Sequence, residues 1–256
     1  MDLQRGPAEK RIDARREILP SLDAGLRGSE NSAAVRSFEG VRQRALAMLS
    51  TPAARRALDL ERENDRVRDR FGRNIYGESF LMARRLIEAG VRLASVNWMH
   101  FPPQGGTINP WDNHGGSPFF RGLSGFDILR QPCCVPALDR AYSALLDDLH
   151  QRGLLAETLV VLTGEFGRTP RINKDNGRDH WGSCYTTILA GGGIRGGQVY
   201  GSSDKDAAYP RSNPVAPEDI LATIYHALGI PLTGEIRDAL GRPFPVCAGR
   251  PLTALY

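Results

Sequence analysis

Residues 158–163 read TLVVLT, a short run of apolar and β-branched side chains flanked by two threonines. Such a run is typical of a strand that is buried on both faces, as the strands of parallel sheets usually are. Before it, apolar side chains at helical spacing predict an amphipathic helix over 135–152. After it, TTILAGG at 186–192 predicts a second strand. Alternation of helix and strand predicts an α/β fold with a mostly parallel central sheet flanked by helices.

The same alternation extends on either side of this unit. Upstream, helical spacing of apolar residues predicts a helix at 75–89, and the sequence VRLASVNW at 91–98 predicts a mostly buried strand. Downstream, Pro217 and two acidic residues begin a predicted helix that ends before Gly229. These elements would add one strand to the sheet and two helices to the layers that flank it.

The first 73 residues have a different character. They are rich in Ala, Leu, Arg and Glu, which are good helix formers, and they lack strand signals. We therefore expect helices at 33–49 and 52–70. The chain is predicted to consist of a helical N-terminal segment, 1–73, and an α/β domain, 74–256.

Composition narrows the range of partners. The 256 residues carry a formal charge of +4, but the basic residues near the N-terminus are interleaved with acids, as on a solvated helix face. Because no nucleic-acid-binding motif accompanies them, no nucleic-acid partner is expected. No apolar run reaches the roughly 18 residues that a membrane span needs. The polar N-terminus lacks a signal-peptide core, so the location would be the cytoplasm if the chain is complete and is otherwise left open.

An acid and an imidazole stand close together in PWDNHGG, at 110–116. Asp112 and His114 lie in a long stretch without regular structure, and loops of that length in compact domains are often functional. Both side chains are ordinary ligands of divalent metals. The alternative is a polar turn in which Asp112 bonds neighbouring amides and His114 is surface.

A second group of acids, histidine and arginines follows the TLVVLT strand. Glu165 comes directly after that strand, where ligands of open α/β sheets bind, and it could hold a metal or act as a base. The alternatives are an exposed loop glutamate and a pair with Arg168. Further on, Asp179 and His180 could be metal ligands, or Asp179 could orient a ligand from outside the coordination sphere. An ion pair of Asp179 with Arg178 or Arg171 is the competing interpretation.

Together these loops predict a metal site at one edge of the sheet. One Asp, one Glu and two His suit zinc, manganese or ferrous iron better than calcium. Such an ion could polarise a phosphoryl or sulfuryl oxygen or activate a bound water. We expect zinc or manganese, with Arg168 and Arg178 binding an anionic substrate. No catalytic nucleophile is assigned, because no nucleophile elbow is present.

Several of these stretches resemble a known family in the same order. LVVLTGEFGRTPRINKDNGRDHW (159–181), LAGGGIRGGQVYGSSD (189–204) and VAPEDILATIYHALGI (215–230) resemble the core of DUF1501. Upstream, LMARRLIEAGVRLASVN (81–97) and LDRAYSALLDDLHQRGLL (138–155) are similar to the same family. The resemblance covers about 73–231 and points to the C-terminal portion of the family.

This resemblance implies a fold like that of alkaline phosphatases and sulfatases. Asp112, His114 and His180 would then correspond to one metal cluster of those enzymes. Phe166 stands where such relatives carry a metal-binding His, so a second cluster is expected to be weakened or absent. Relatives begin with a strand that bears a metal-binding Asp and the nucleophile, and nothing before residue 90 resembles it. The chain is therefore expected to match the second half of a longer, often exported protein.

The function implied is metal-dependent hydrolysis of phosphate or sulfate esters. The partner would be a small anionic ester or a sulfated or phosphorylated glycan. Two alternatives stay open: a module that binds a metal or an anionic glycan without turnover, and an inactive truncated remnant.

Overall fold

The computed structural model describes residues 37–38, 40–43, 51–102 and 105–256. The chain separates into two units, Met1–Arg56 and Ala57–Tyr256. Within the first unit, residues 37–38 and 40–43 are helical, and most of the helix expected at 33–49 lies outside the described residues. The division predicted at residue 73 stays a prediction. The second unit contains the site and is described below.

Helices dominate the regular structure of the described residues. Apart from residues 37–38 and 40–43, the α-helices are α1 (Pro52–Leu58), α2 (Asp65–Phe71), α3 (Ile75–Glu88), α4 (Gly125–Leu129), α5 (Val135–Gln151) and α6 (Pro217–Ala227). Single 3₁₀ turns occur at Leu60–Arg62, Pro118–Phe120, Leu155–Glu157 and Thr253–Leu255. The helices predicted over 75–89, 135–152 and from Pro217 are confirmed.

Local capping explains where the helices begin and end. The side chain of Asn64 accepts a hydrogen bond from the Arg66 amide at 2.8 Å and starts α2, so the single helix predicted over 52–70 is broken into shorter pieces. Asn74 caps α3 in the same way. At the other end of α3, Gly90 adopts a φ of 90°, which lets the next amide bond back to Leu86.

The hydrophobic core lies between α2, α3 and α5. It is built from Phe71, Phe80, Leu81, Ala141, Ala144, Leu145 and Leu149. Arg84 of α3 is buried in this region with only 1% of its surface exposed, and it forms ion pairs with Glu63, Glu88 and Asp148. The buried guanidinium is therefore paired with carboxylates. This pairing is expected, because burying an unpaired charge costs several kcal/mol.

The strands are short and pair only as antiparallel two-stranded ribbons. They are β1 (Val160–Leu162), β2 (Gly167–Arg168), β3 (His180–Trp181), β4 (Ile188–Ala190), β5 (Ser202–Ser203), β6 (Pro210–Ser212), β7 (Glu235–Arg237) and β8 (Pro243–Pro245). The pairs are β1 with β4, β2 with β3, β5 with β6, and β7 with β8.

The predicted α/β fold with a mostly parallel central sheet is therefore wrong, and so is the likeness to the alkaline phosphatase fold. Strands form at the centres of the runs 158–163 and 186–192, as β1 and β4, but Val160 pairs antiparallel with Ala190, and β1 is only half-buried. Residues 93–99 form no regular structure, and the side chain of Leu93 is 70% exposed. An apolar run favours an extended backbone, but it specifies neither how deeply that backbone is buried nor the partner strand and its direction.

Among the described residues, every helix is too short or too polar to cross a membrane. This agrees with the absence of a long apolar run in the sequence.

Candidate metal centre

Two loops pack backbone against backbone to form the candidate site. Gly115 has a φ of 86°, and a Cβ on it would lie 2.3 Å from the carbonyl oxygen of Asp175. A Cβ on Gly177 would lie 2.1 Å from the carbonyl oxygen of His114. Any side chain at either glycine would push the loops apart, so glycine at both positions allows the two segments to meet.

A small hairpin places the third side chain of the site. In the β2–β3 ribbon, Arg168 lies directly opposite His180. Opposite residues of an antiparallel pair project from the same face. The hairpin therefore turns Arg168 and His180 toward the same loop, the one that carries Asp112.

Three ligand-type atoms converge at this point. Nε2 of His180 lies 2.7 Å from Oδ1 of Asp112, and Nε2 of His114 lies 3.0 Å from each of those two atoms. The atoms form a nearly equilateral triangle. Within the described ranges, this is the one group of at least three His, Cys, Asp or Glu residues arranged to hold a metal.

Asp179 orients the ring of His114. Its Oδ1 lies 3.0 Å from Nδ1 of His114, on the side of the ring opposite the triangle. A proton on Nδ1 satisfies this contact and leaves the lone pair of Nε2 directed at Asp112 and His180. Contacts of this kind fix the tautomer and orientation of metal-binding imidazoles. Hydrogen bonds from His114 and Asn173 hold the pKa of the Asp179 carboxyl below its usual range.

Arg168 holds the carboxylate of Asp112. Its guanidinium donates to the main-chain carbonyl of Trp111 at 2.7 Å and to Oδ1 of Asp112 at 3.0 Å. Partial burial on its own would raise the pKa of Asp112, but hydrogen bonds from His180 and Arg168 outweigh it and lower that pKa. Asp112 is therefore ionised and held in place over the physiological pH range.

The triangle is open to solvent on one side and walled by an aromatic ring on another. The side chains of His114, Asp112 and His180 are 37%, 42% and 52% exposed. The ring of Phe166 packs on the His180 ring with 4.4 Å between centroids. The three side chains of the triangle are therefore accessible from solvent.

The other residues predicted for the site have different surroundings. Glu165 is exposed and is not part of the triangle. The Arg178 guanidinium donates to the carbonyls of Thr169 and Pro170, both at 2.7 Å, and so braces its own loop. The roles predicted for Glu165 as a ligand and for both arginines as anion binders stay predictions.

The sequence did not indicate Asn173, which contacts both loops of the site. Its side-chain amide donates to the main-chain carbonyl of His114 and to Oδ1 of Asp179, both at 3.0 Å. The only available signal was its place in the INKDNGRD stretch, which is typical of a turn and does not indicate long-range contacts.

Comparison with known proteins yields one match. A family model described as "Protein of unknown function (DUF1501)" matches residues 1–256, a wider range than the 73–231 expected from the motifs. No curated protein and no solved structure matches the chain. The chain belongs to the DUF1501 family.

Proposed function

We propose that the protein binds one divalent transition-metal ion through Asp112, His114 and His180. The observation that carries this proposal is the triangle of one carboxylate oxygen and two imidazole nitrogens, with edges of 2.7, 3.0 and 3.0 Å. Metal bonds to such atoms are about 2.0–2.2 Å long. Because the edges are well below twice that length, the three atoms lie close enough together for one ion to be held by all of them.

The nearby charges favour a cation. Two carboxylates, of Asp112 and Asp179, face one guanidinium, that of Arg168, in the hydrogen-bonded network around the two imidazoles. With neutral histidines this network carries one net negative charge. Two imidazole nitrogens 3.0 Å apart also repel each other unless a proton or a metal ion lies between their lone pairs.

The ligand set favours zinc or manganese as the ion. Two His and one carboxylate leave at least one coordination position for water or substrate, as catalytic zinc sites do. The same set is also used by ferrous iron, whereas calcium prefers a larger number of oxygen ligands. Asp179 acts in this proposal by orienting His114 and not as a ligand.

Metal binding is tested with the purified chain after treatment with a chelator. Calorimetric titration with zinc and with manganese is expected to give one site per chain for at least one of them. The substitution His180→Ala should abolish this site, and Arg130→Ala, on an exposed helix end, is the matched control that should retain it. Equal stoichiometry in the wild type and in His180→Ala would contradict the proposal.

The activity that we propose for this centre is hydrolysis of phosphate or sulfate esters. A bound divalent ion would lower the pKa of a water molecule and neutralise charge on an anionic substrate. Metal-loaded protein would be screened against phosphate and sulfate monoesters. Turnover that is lost in His114→Ala would support hydrolysis.

A binding role without turnover is the second candidate, and one observation favours it. Within the described part of the chain, no Ser, Thr or Cys side chain hydrogen-bonds to Asp112, His114 or His180, as a nucleophile activated by one of them would. In that case the metal-loaded chain would bind anionic esters or glycans in calorimetry but release them unchanged. Ester turnover by the metal-loaded wild type would exclude this candidate.

A further inference from the structure

Asn173 makes four side-chain hydrogen bonds, and together they join the two loops of the site. Its Nδ2 donates to the main-chain carbonyl of His114 and to Oδ1 of Asp179, both at 3.0 Å. Its Oδ1 accepts from the amides of Asp175 and Gly177, also at 3.0 Å. Every hydrogen-bonding position that an amide side chain commonly uses is therefore occupied.

The orientation of this amide follows from its partners. The amides of Asp175 and Gly177 can only donate, and the oxygens of His114 and Asp179 accept. If the amide were rotated by half a turn, its NH₂ group would face two N–H donors and its oxygen would face two acceptors. A single arrangement therefore satisfies all four contacts.

From these contacts we infer that Asn173 is a positioning residue for the metal centre, a role that rests on the proposed function. It holds the main chain of the ligand His114 and, at the same time, the carboxylate that fixes the tautomer of the His114 ring. The carboxylate of Asp179 needs this support because it is exposed and would otherwise be free to rotate toward water. Asn173 thus sets the direction in which Nε2 of His114 points.

Other residue types at position 173 would break this arrangement in different ways. Alanine removes the link to Asp179 and also the acceptor that shapes the turn through Asp175 and Gly177. Aspartate keeps that acceptor but places a negatively charged oxygen against Oδ1 of Asp179 and the carbonyl of His114. Asn173→Asp therefore isolates the link to the site from the shape of the turn.

The first readout is the tautomer of His114 in metal-free protein, measured from long-range ¹H–¹⁵N correlations of labelled histidine. The wild type is expected to show mainly the tautomer with the proton on Nδ1. In Asn173→Ala and Asn173→Asp we expect a mixture of tautomers. The second readout is zinc affinity, which should fall by about 10- to 100-fold, the usual effect of losing such a supporting contact.

The matched control is Asn74→Ala, which removes the hydrogen bonds that cap α3, far from the site in sequence. It should lower the free energy of unfolding while leaving the His114 tautomer and zinc affinity unchanged. An unchanged His114 tautomer, or an unchanged zinc affinity, in both Asn173 variants would overturn the inference. If Asn173→Ala does not fold, Asn173→Asp decides the question.

The two proposals fail in different ways. A wild type that binds neither zinc nor manganese overturns the metal centre. The tautomer measurement needs no metal, so it still shows whether Asn173 directs the His114 ring. A wild type that binds zinc while the Asn173 variants bind it equally well overturns only the positioning role.

Discussion

Two polar clusters in the same unit are built on opposite principles. The first, which we call the arginine cluster, lies in and beside the helical core and consists of Arg84, Arg85, Arg152, Glu63, Glu88 and Asp148. Its three positive and three negative groups balance, and Arg84 at its centre is almost completely buried. The second is the triangle of Asp112, His114 and His180, which is exposed and carries an excess of negative charge.

The comparison separates a structural role from a binding role. In the arginine cluster each buried charge already contacts an opposite charge, so no ligand is needed to satisfy it. In the triangle three ligand-type atoms converge on one point, and their positions are held by Arg168, Asp179 and Asn173. A cluster whose ligand-type atoms converge on one point, and whose surrounding carboxylates outnumber its single guanidinium, is the one suited to binding a cation.

The largest expected effect comes from breaking the arginine cluster. In Arg84→Met, Glu63 and Asp148 lose a partner in a nearly dry environment, which we expect to lower the free energy of unfolding by about 3 kcal/mol or more. Urea denaturation measures this loss. Zinc affinity of the folded variant should be unchanged. Arg84→Lys, which keeps the charge but not the planar fork, should show a smaller loss.

The next effect concerns the triangle, where we expect zinc affinity to fall while the stability of the metal-free protein is unchanged. Asp179→Ala removes the acceptor of the His114 ring, so zinc affinity should fall by about 10- to 100-fold, or about 1.4–2.8 kcal/mol. The urea midpoint of metal-free protein should hardly move, because the Asp179 side chain is mostly exposed. A large loss of stability with intact affinity would remove the distinction between the two clusters.

A third effect is a pH dependence of stability that arises from the arginine cluster. Burial on its own would raise the pKa of Glu63, but hydrogen bonds from Arg85 and Arg84 outweigh it and lower that pKa. A carboxyl whose pKa is lower in the folded state contributes stability that is present above the unfolded value of about 4.5 and is lost as pH falls through the folded value. Urea midpoints of the wild type should therefore fall on acidification below about pH 5.

The variant Glu63→Gln provides the control for this effect, since its amide does not titrate. It should be less stable than the wild type at pH 7, and the gap between the two should narrow on acidification. A gap that stays constant down to pH 3 would show that Glu63 has the same pKa in the folded and unfolded chain.

The smallest effect is expected at an exposed ion pair. Arg130 lies 3.0 Å from Asp127 at the end of α4, and its side chain is largely exposed. Arg130→Ala should change the free energy of unfolding by less than about 0.5 kcal/mol, as is usual for surface pairs. A loss as large as that of Arg84→Met would mean that burial does not explain the difference between these two arginines.

Sequence patterns predicted the parts of the molecule that local chemistry determines. Helices α3, α5 and α6 follow from apolar spacing together with caps and terminating glycines. The motif PWDNHGG and the pair Asp179 and His180 were identified from residue types alone. The prediction of a parallel sheet was wrong. Strand pairing depends on contacts between residues far apart in the chain, and an apolar run does not encode those contacts.

The burial of Arg84 could have been predicted from its position in the sequence. Arg84 lies four residues after Phe80 and three after Leu81, on the face of α3 that packs into the core. A charged residue at such a position indicates a buried ion pair and calls for an acidic partner. Asn173 had no comparable pattern, because its four hydrogen bonds depend on how two distant loops meet.

The wide sequence separation within the triangle has a further consequence. His114 and His180 are 66 positions apart, and Asp112 and His180 are 68 apart. In the unfolded chain these side chains are far apart, so an ion would bind all three only in the folded chain and would stabilise that state by its binding free energy. The melting temperature would then rise with free metal concentration, so that local metal supply would set how long the folded chain persists.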